Sequence, residues 1–190
     1  MAILPVYNCF HPILKKKTEP IKEIDGKIEK LVSDMFETMY KAEGIGLAAN
    51  QVGIPKSLLI IDTSGGNIEN AKKHAPPIAL INPVIEYFSE EENEFNEGCL
   101  SVPTFFEKVI RPSQIQVRFW DLDMKEQVVE ADDIMARVMQ HEIDHLNGIL
   151  FFEKLTPIKR TLAKNKLKNI KKGKVKPKYE MIMPDGSVLK

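Results

Sequence analysis

The sequence has too little cysteine for a disulfide framework: Cys9 and Cys99 are the only two. That sets aside the small disulfide-stapled secreted folds. It fits a reducing compartment, where a thiol is free to act as metal ligand or nucleophile. No apolar run approaches the roughly 18 residues that a membrane span needs. The opening stretch, MAILPVYNCFHP, has no basic segment ahead of its short apolar run, and prolines interrupt it. A secretory signal is therefore not expected, and a cytoplasmic location is. There is no internal repeat. There is also no histidine after His145, and that absence matters below.

What remains is an ordinary composition for a globular chain of 190 residues, 43% hydrophobic and 28% charged. The length suits one domain with a real core and an appendage. Net charge is zero, but it is unevenly spread. Lys154 to Lys178 holds 11 Lys or Arg and no acid, which leaves 16 basic against 27 acidic residues elsewhere. The chain divides into a body, 1–155, and a basic C-terminal helix and tail, 156–190. The basic segment reads either as a solubilising end or as a surface for a polyanion such as RNA.

Apolar residues at Ile28, Leu31, Val32, Met35, Phe36 and Met39 have helical spacing over Lys27–Ala42, with Asp25-Gly26 as the start. GIGLAANQVG, 44–53, reads as a tightly packed loop. Ser57–Asp62 reads as a buried strand, 63–77 as a surface loop, and Ile78–Phe88 as a strand that Pro83 puts at an edge or bulge. The acidic SEEENEFNEG, 89–98, reads as a turn. Gln114–Trp120 alternates and pairs with Glu126–Glu130 across a turn. Asp132–Asn147 is a helix that Gly148 stops. ILFF is an extended exit, and Thr156-Pro157 opens a last helix to about Lys172. MPDGS makes a turn near the end. Strands mixed with one buried helix suggest an α+β fold.

The strongest motif is His141-Glu142-Ile143-Asp144-His145. Histidines four apart on a helix sit about 40° apart around it and about 6 Å along it, so both can reach one metal ion. Glu142 is offset sideways, placed to take a proton from a water held there. By chance such a motif arises in on the order of one chain in a few hundred of this length. Metalloproteases that use this motif take a third ligand from further downstream. Here Glu153 and Glu180 remain in that direction, and neither has a motif behind it. Upstream lies Glu97-Gly98-Cys99-Leu100-Ser101. Alone, Cys99 reads as a core cysteine. Beside HEIDH it reads as the third ligand of a Cys/His/His set with a fourth position open.

Three segments together resemble the signature motifs of the peptide deformylase family: Gly44-Ile45-Gly46-Leu47-Ala48-Ala49-Asn50-Gln51, Glu97-Gly98-Cys99-Leu100-Ser101, and Gln140-His141-Glu142-Ile143-Asp144-His145-Leu146. HPILKKKTEPI also looks like that family's N-terminal segment. The resemblance covers about residues 3–165. It implies antiparallel sheets packed around a central metal-binding helix, with a C-terminal helix, and removal of the N-formyl group from formyl-methionyl nascent peptides. Carried over, it implies Cys99, His141 and His145 as ligands and Glu142 as the acid/base. Gln51 and the Leu100 N–H would hold the formyl oxygen. Gly46 would give the substrate backbone room, and Ile45, Ile134 and Val138 would wall the methionine pocket. For Ile134 and Val138, plain core packing is the competing reading. The resemblance implies Fe2+ as the metal, while ligand type alone suits Zn2+. It also raises contact of the basic tail with the ribosome and its rRNA.

Asn50 stands where many relatives have proline, and Thr104 where glycine is frequent. Glu97 and Arg111 flank the cysteine segment and are expected to form a buried pair. Three other readings stay open: an ordinary metallopeptidase, a binding protein with a structural zinc, and an RNA-binding module.

Overall fold

The computed structural model describes residues 2–64 and 76–190, so most of the loop expected at 63–77 lies outside the described residues. In chain order the main elements are β1 (Val6–Tyr7), α1 (Gly26–Lys41), β2 (Gly46–Ala48), β3 (Leu58–Ile61), β4 (Ile78–Phe88), β5 (Glu92–Cys99), β6 (Val102–Pro112), β7 (Gln114–Trp120), β8 (Glu126–Asp132), α2 (Asp133–Leu146), α3 (Pro157–Lys171), β9 (Met181–Ile182) and β10 (Val188–Leu189).

A five-stranded antiparallel sheet, in the order β2-β3-β4-β7-β8, carries a helix on each face. The continuous apolar run of β3 follows from that. Successive side chains of a strand point to opposite faces. Leu59 and Ile61 meet α2 through Met139 and Ile143, while Leu58 and Ile60 meet α1 through Met35 and Met39. A strand buried on one face alternates instead. In β7, Ile115, Val117 and Phe119 are buried, and Gln116 and Arg118 are not. Each of these buried aliphatic side chains contributes roughly 1.5–3 kcal/mol relative to an exposed one. Pro83 lies where the β4–β7 register shifts, between Ile81 and Val84. It takes a bulge position in a central strand, because it has no N–H for the ladder.

Helix α1 starts at Asp25, whose carboxylate accepts the Lys27 and Ile28 N–H groups at 3.1 and 2.9 Å. Thr156 caps α3 by accepting from the Lys159 N–H, with Pro157 in the first turn. The buried face of α3, Ala163, Leu167 and Ile170, packs against Val102, Phe105, Phe151 and Leu155.

Several segments differ from the sequence reading. Residues 89–98 are mostly strand, not turn. β5 pairs along its length with β6, and Phe95 packs inward while Glu92, Glu94 and Asn96 face out. Part of 44–53 is the strand β2, followed by a 3-10 turn at Ala49–Val52. ILFF leads into another 3-10 turn at Phe151–Lys154 and is not extended throughout. The tail does more than turn at MPDGS: β9 pairs in parallel with β1 and antiparallel with β10, so the two ends of the chain share a small sheet. Among the described residues no helix is long and apolar enough to cross a membrane.

Candidate active site and metal centre

α2 is buried on nearly every side, and its C-terminal half carries the motif. His141, Glu142 and His145 are all buried, against a general tendency for charged groups to stay exposed. The tight turn of the β5–β6 hairpin, where Cys99 pairs with Val102, brings the thiol to the helix. Cys99 Sγ lies 3.1 Å from His145 Nε2, and the two imidazole centroids are 5.0 Å apart. One ligand atom each from Cys99, His141 and His145 falls within 4.8 Å of the others, so the three could hold one metal ion.

Glu97 orients this set. It accepts from Arg111 Nε and Nη2 at 2.7 and 2.8 Å and from Arg137 Nη1 at 2.7 Å, and it bonds His141 Nδ1 at 2.9 Å. With Nδ1 occupied, the other nitrogen of His141 is the one free to face the thiol side. Burial alone would raise the Glu97 carboxyl, but the bonds from His141 and Arg111 win and hold it well below the usual range. Arg111 also reaches Asp144, one turn along α2. The expected Glu97–Arg111 pair is thus present and buried. Sequence reasoning missed Arg137 and Asp144. Arg137 lies four residues before His141 on one helix face, and that spacing was the available signal.

Burial pushes the Glu142 carboxyl up to about 7. Its Oε2 is buried with no hydrogen-bond partner among the described residues. Burial also holds His145 well below its usual value, which favours the neutral imidazole, with one ring nitrogen carrying a lone pair for a ligand bond. His141 is shifted the other way: burial opposes protonation, but Cys99 and Glu97 outweigh it.

Gly46 and Gly98 are both sites of close approach. A Cβ on Gly46 would sit 2.7 Å from Glu142 Oε1 and from Val138 Cγ1. Glycine there makes room for Glu142 itself. A Cβ on Gly98 would fall 2.3 Å from the Phe106 ring. Gln51 is buried. Its side-chain oxygen accepts the Ala48 N–H at 2.8 Å, and its amide donates to Cys99 Sγ at 3.4 Å and Ser101 Oγ at 3.2 Å. Asn50 donates to the His145 carbonyl at 2.6 Å, which anchors the end of the metal helix.

A cleft of about 760 Å³ opens over these groups, lined by Ile45, Gly46, Gln51, Cys99, Leu100, Ile134, Val138, His141 and Glu142 among others. Ile134 and Val138 are buried in the core and line the cleft as well, so the two readings of them are compatible. Every site residue expected from the sequence lies in or against this one cleft except His145, which lies just behind it beside Cys99. Lys176, Pro177, Lys178 and Tyr179 also line it, from the far end of the chain, and the sequence reading of a basic tail did not place them there.

The polypeptide deformylase family model matches residues 3–161. The chain belongs to the polypeptide deformylase family. It is 44% identical over 172 residues to the peptide deformylase of Bartonella tribocorum, covering 90% of this chain and 94% of that protein. To that of Saccharophagus degradans it is 45% identical over 167 residues, covering 88% and 93%. Among solved structures, the peptide deformylase from Ehrlichia chaffeensis in complex with actinonin superposes with a TM-score of 0.81 at 40% identity, covering 89% of this chain and 98% of that one. Deformylases are metal-dependent hydrolases of a linear amide. This chain removes the N-formyl group from the N-terminal formyl-methionine of newly synthesised proteins and releases formate. The α+β fold is that of the family.

Proposed function

We propose that Cys99, His141 and His145 hold the metal of this deformylase, Fe2+ with Zn2+ as the alternative, and that Glu142 moves the protons of the reaction. The observation that carries this is the convergence of the three donor atoms beside a buried carboxylate with an unpartnered oxygen. A thiolate and two imidazoles, one of them held neutral by burial, are a donor set of the right chemistry for either ion. The deformylase resemblance favours iron. When bound, the ion supplies Lewis acidity, polarising the formyl carbonyl and making a water more acidic.

Glu142 takes a proton from a water as that water adds to the formyl carbon. Charge builds on the formyl oxygen, where the Gln51 amide and the Leu100 N–H act as donors. Gln51 would exchange its long 3.4 Å contact to Cys99 for that oxygen. Losing one such donor typically costs about 3–4 kcal/mol of barrier. The C–N bond then breaks, and Glu142 returns the proton to the departing α-amine. Its raised carboxyl suits both directions of transfer near neutral pH. The methionine side chain would lie against Ile45, Ile134 and Val138, with Gly46 beside it.

We assign the catalytic groups to 1–155 and a basic helix and tail to 156–190, of which Lys176–Tyr179 also borders the cleft. The exposed side of α3 carries Ile158 and Leu162 among its lysines, 75% and 77% exposed. We read this face as a contact for the ribosome and its rRNA, which fits a cytoplasmic enzyme whose substrate emerges there. Counting bound metal in anaerobically purified protein, and assaying formate from a formyl-methionyl tripeptide with wild type and Cys99→Ser, tests the ligand assignment. Full occupancy and full activity in Cys99→Ser would overturn it.

A further inference from the structure

The segment Lys176–Tyr179 joins α3 to β9 and crosses the rim of the substrate cleft. It is tied at two points. The Tyr179 hydroxyl donates to the Leu100 carbonyl at 2.6 Å, in the same turn that carries Cys99. Lys178 Nζ meets Glu43 Oε2 at 3.1 Å, in the connection between α1 and β2. These two anchor points belong to neighbouring walls, because Gly44 packs against Leu100: a Cβ there would stand 3.0 Å from Leu100 Cδ1. β9 and β10 then hold the segment's far end to β1. The strap is therefore fixed to the body on both sides.

The charge on this rim is one-sided. Lys41, Lys176 and Lys178 line it with Glu43, while the other acids lining the cleft among the described residues, Glu97 and Glu142, are buried deeper. The Lys178–Glu43 pair is mostly exposed, at 82% and 74%, so it is weak and easily exchanged. Deeper in the cleft the charges are consumed by one another, Glu97 by Arg111, Arg137 and His141.

We propose that Lys176–Tyr179 forms the outer wall of the substrate site and selects for acidic side chains in the residues that follow the formyl-methionine. This rests on the placement of the formyl group beside Glu142 given above. A chain whose methionine fills the inner pocket must leave past the rim. There its side chains meet two or three ammonium groups, and Tyr179 holds the wall against the turn that supplies the Leu100 N–H.

The test compares formate release from C-terminally amidated formyl-Met-Glu-Glu, formyl-Met-Ala-Ser and formyl-Met-Lys-Lys by the metal-loaded enzyme. The wild type should show kcat/KM in that descending order, with a gain on the order of fivefold per matched charge that shrinks as salt rises. The double variant Lys176→Glu with Lys178→Glu should invert the order. A merely structural defect would lower all three together and leave their ratios alone. Tyr179→Phe should narrow the ratios by loosening the wall. Ratios near one in the wild type, or ratios unchanged in the charge-reversed variant, would overturn the inference. Activity on all three peptides without discrimination removes the strap's role and leaves the catalytic assignment standing. No formate from any of them would overturn both.

Discussion

Glu97 shows how much of the site depends on a residue outside the HEIDH motif. One carboxylate receives two arginines and fixes the ring of a metal-ligating histidine. Such partners set which imidazole nitrogen faces the ion. They also set the proton inventory. Cys99 and Glu97 favour a protonated His141 in the metal-free protein, in spite of burial. An ion must displace that proton, so metal uptake should release acid, and apparent affinity should keep rising with pH above the ordinary histidine range. Zinc titration of metal-free protein in weak buffer measures this; uptake that releases no proton and is flat with pH would contradict it. Thr104 makes a separate case. Its φ is +58°, in the left-handed region that a β-branched residue rarely adopts. Relief of that strain outweighs the added chain entropy of glycine. Thr104→Gly should raise stability by about 1 kcal/mol, read from the denaturation midpoint, and a fall would show the backbone is not strained there.

At the scale of elements, the β5–β6 hairpin matters because it delivers both Cys99 and Arg111 to α2. Arg111 and Glu97 are each about 3% exposed, so removing one leaves a buried charge short of partners. Arg111→Met should cost about 3–5 kcal/mol, and the double variant with Glu97→Gln should cost less than the sum of the two singles. Chemical denaturation of the four proteins decides, and strict additivity would mean the pair is not coupled. This hairpin was also the least legible element in the sequence. Its outward Glu92, Glu94 and Asn96 look like a turn, and its other face buries polar groups that serve the site, Asn93 against Arg137 among them. α1, by contrast, could be read from spacing and its cap, because its buried face is mostly apolar and periodic, and α2 from Ile134, Val138 and Leu146 and the Gly148 stop, although it also buries polar residues. The motif residues were legible for the same reason: Glu142 and both histidines are set by local helix geometry. Asp144 and Tyr179 were not, since each acts through a contact distant in sequence, and Arg137 left only its spacing from His141 as a signal. α3 was read correctly as a helix, but its apolar residues divide. Leu167 and Ile170 are buried on the body, and Ile158 and Leu162 are exposed. Changing Ile158 and Leu162 together to Asp should leave folding and turnover of a free formyl-peptide unchanged while weakening co-sedimentation with ribosomes several-fold. Equal pelleting would confine α3 to a structural role.

For the whole molecule, the architecture brings four separated stretches to one cleft: the β2 region, the β5–β6 turn, α2 and the strap before β9. A sheet covered by a helix on each face supplies the rigid frame. The small sheet of β1, β9 and β10 ties the basic tail back to the start of the chain, so the tail contributes to the cleft as well as to the surface. The central claim about this assembly is that Glu142 stands beside the metal without binding it and carries the protons of formyl hydrolysis. The measurement that tests it most directly is made on wild type and Glu142→Gln purified side by side without oxygen, with metal per chain and formate release recorded on the same samples. Equal metal content with turnover reduced by roughly 10²–10⁴-fold is the predicted result. Near-normal turnover by the metal-loaded variant, or loss of the metal with the carboxylate, would contradict the account.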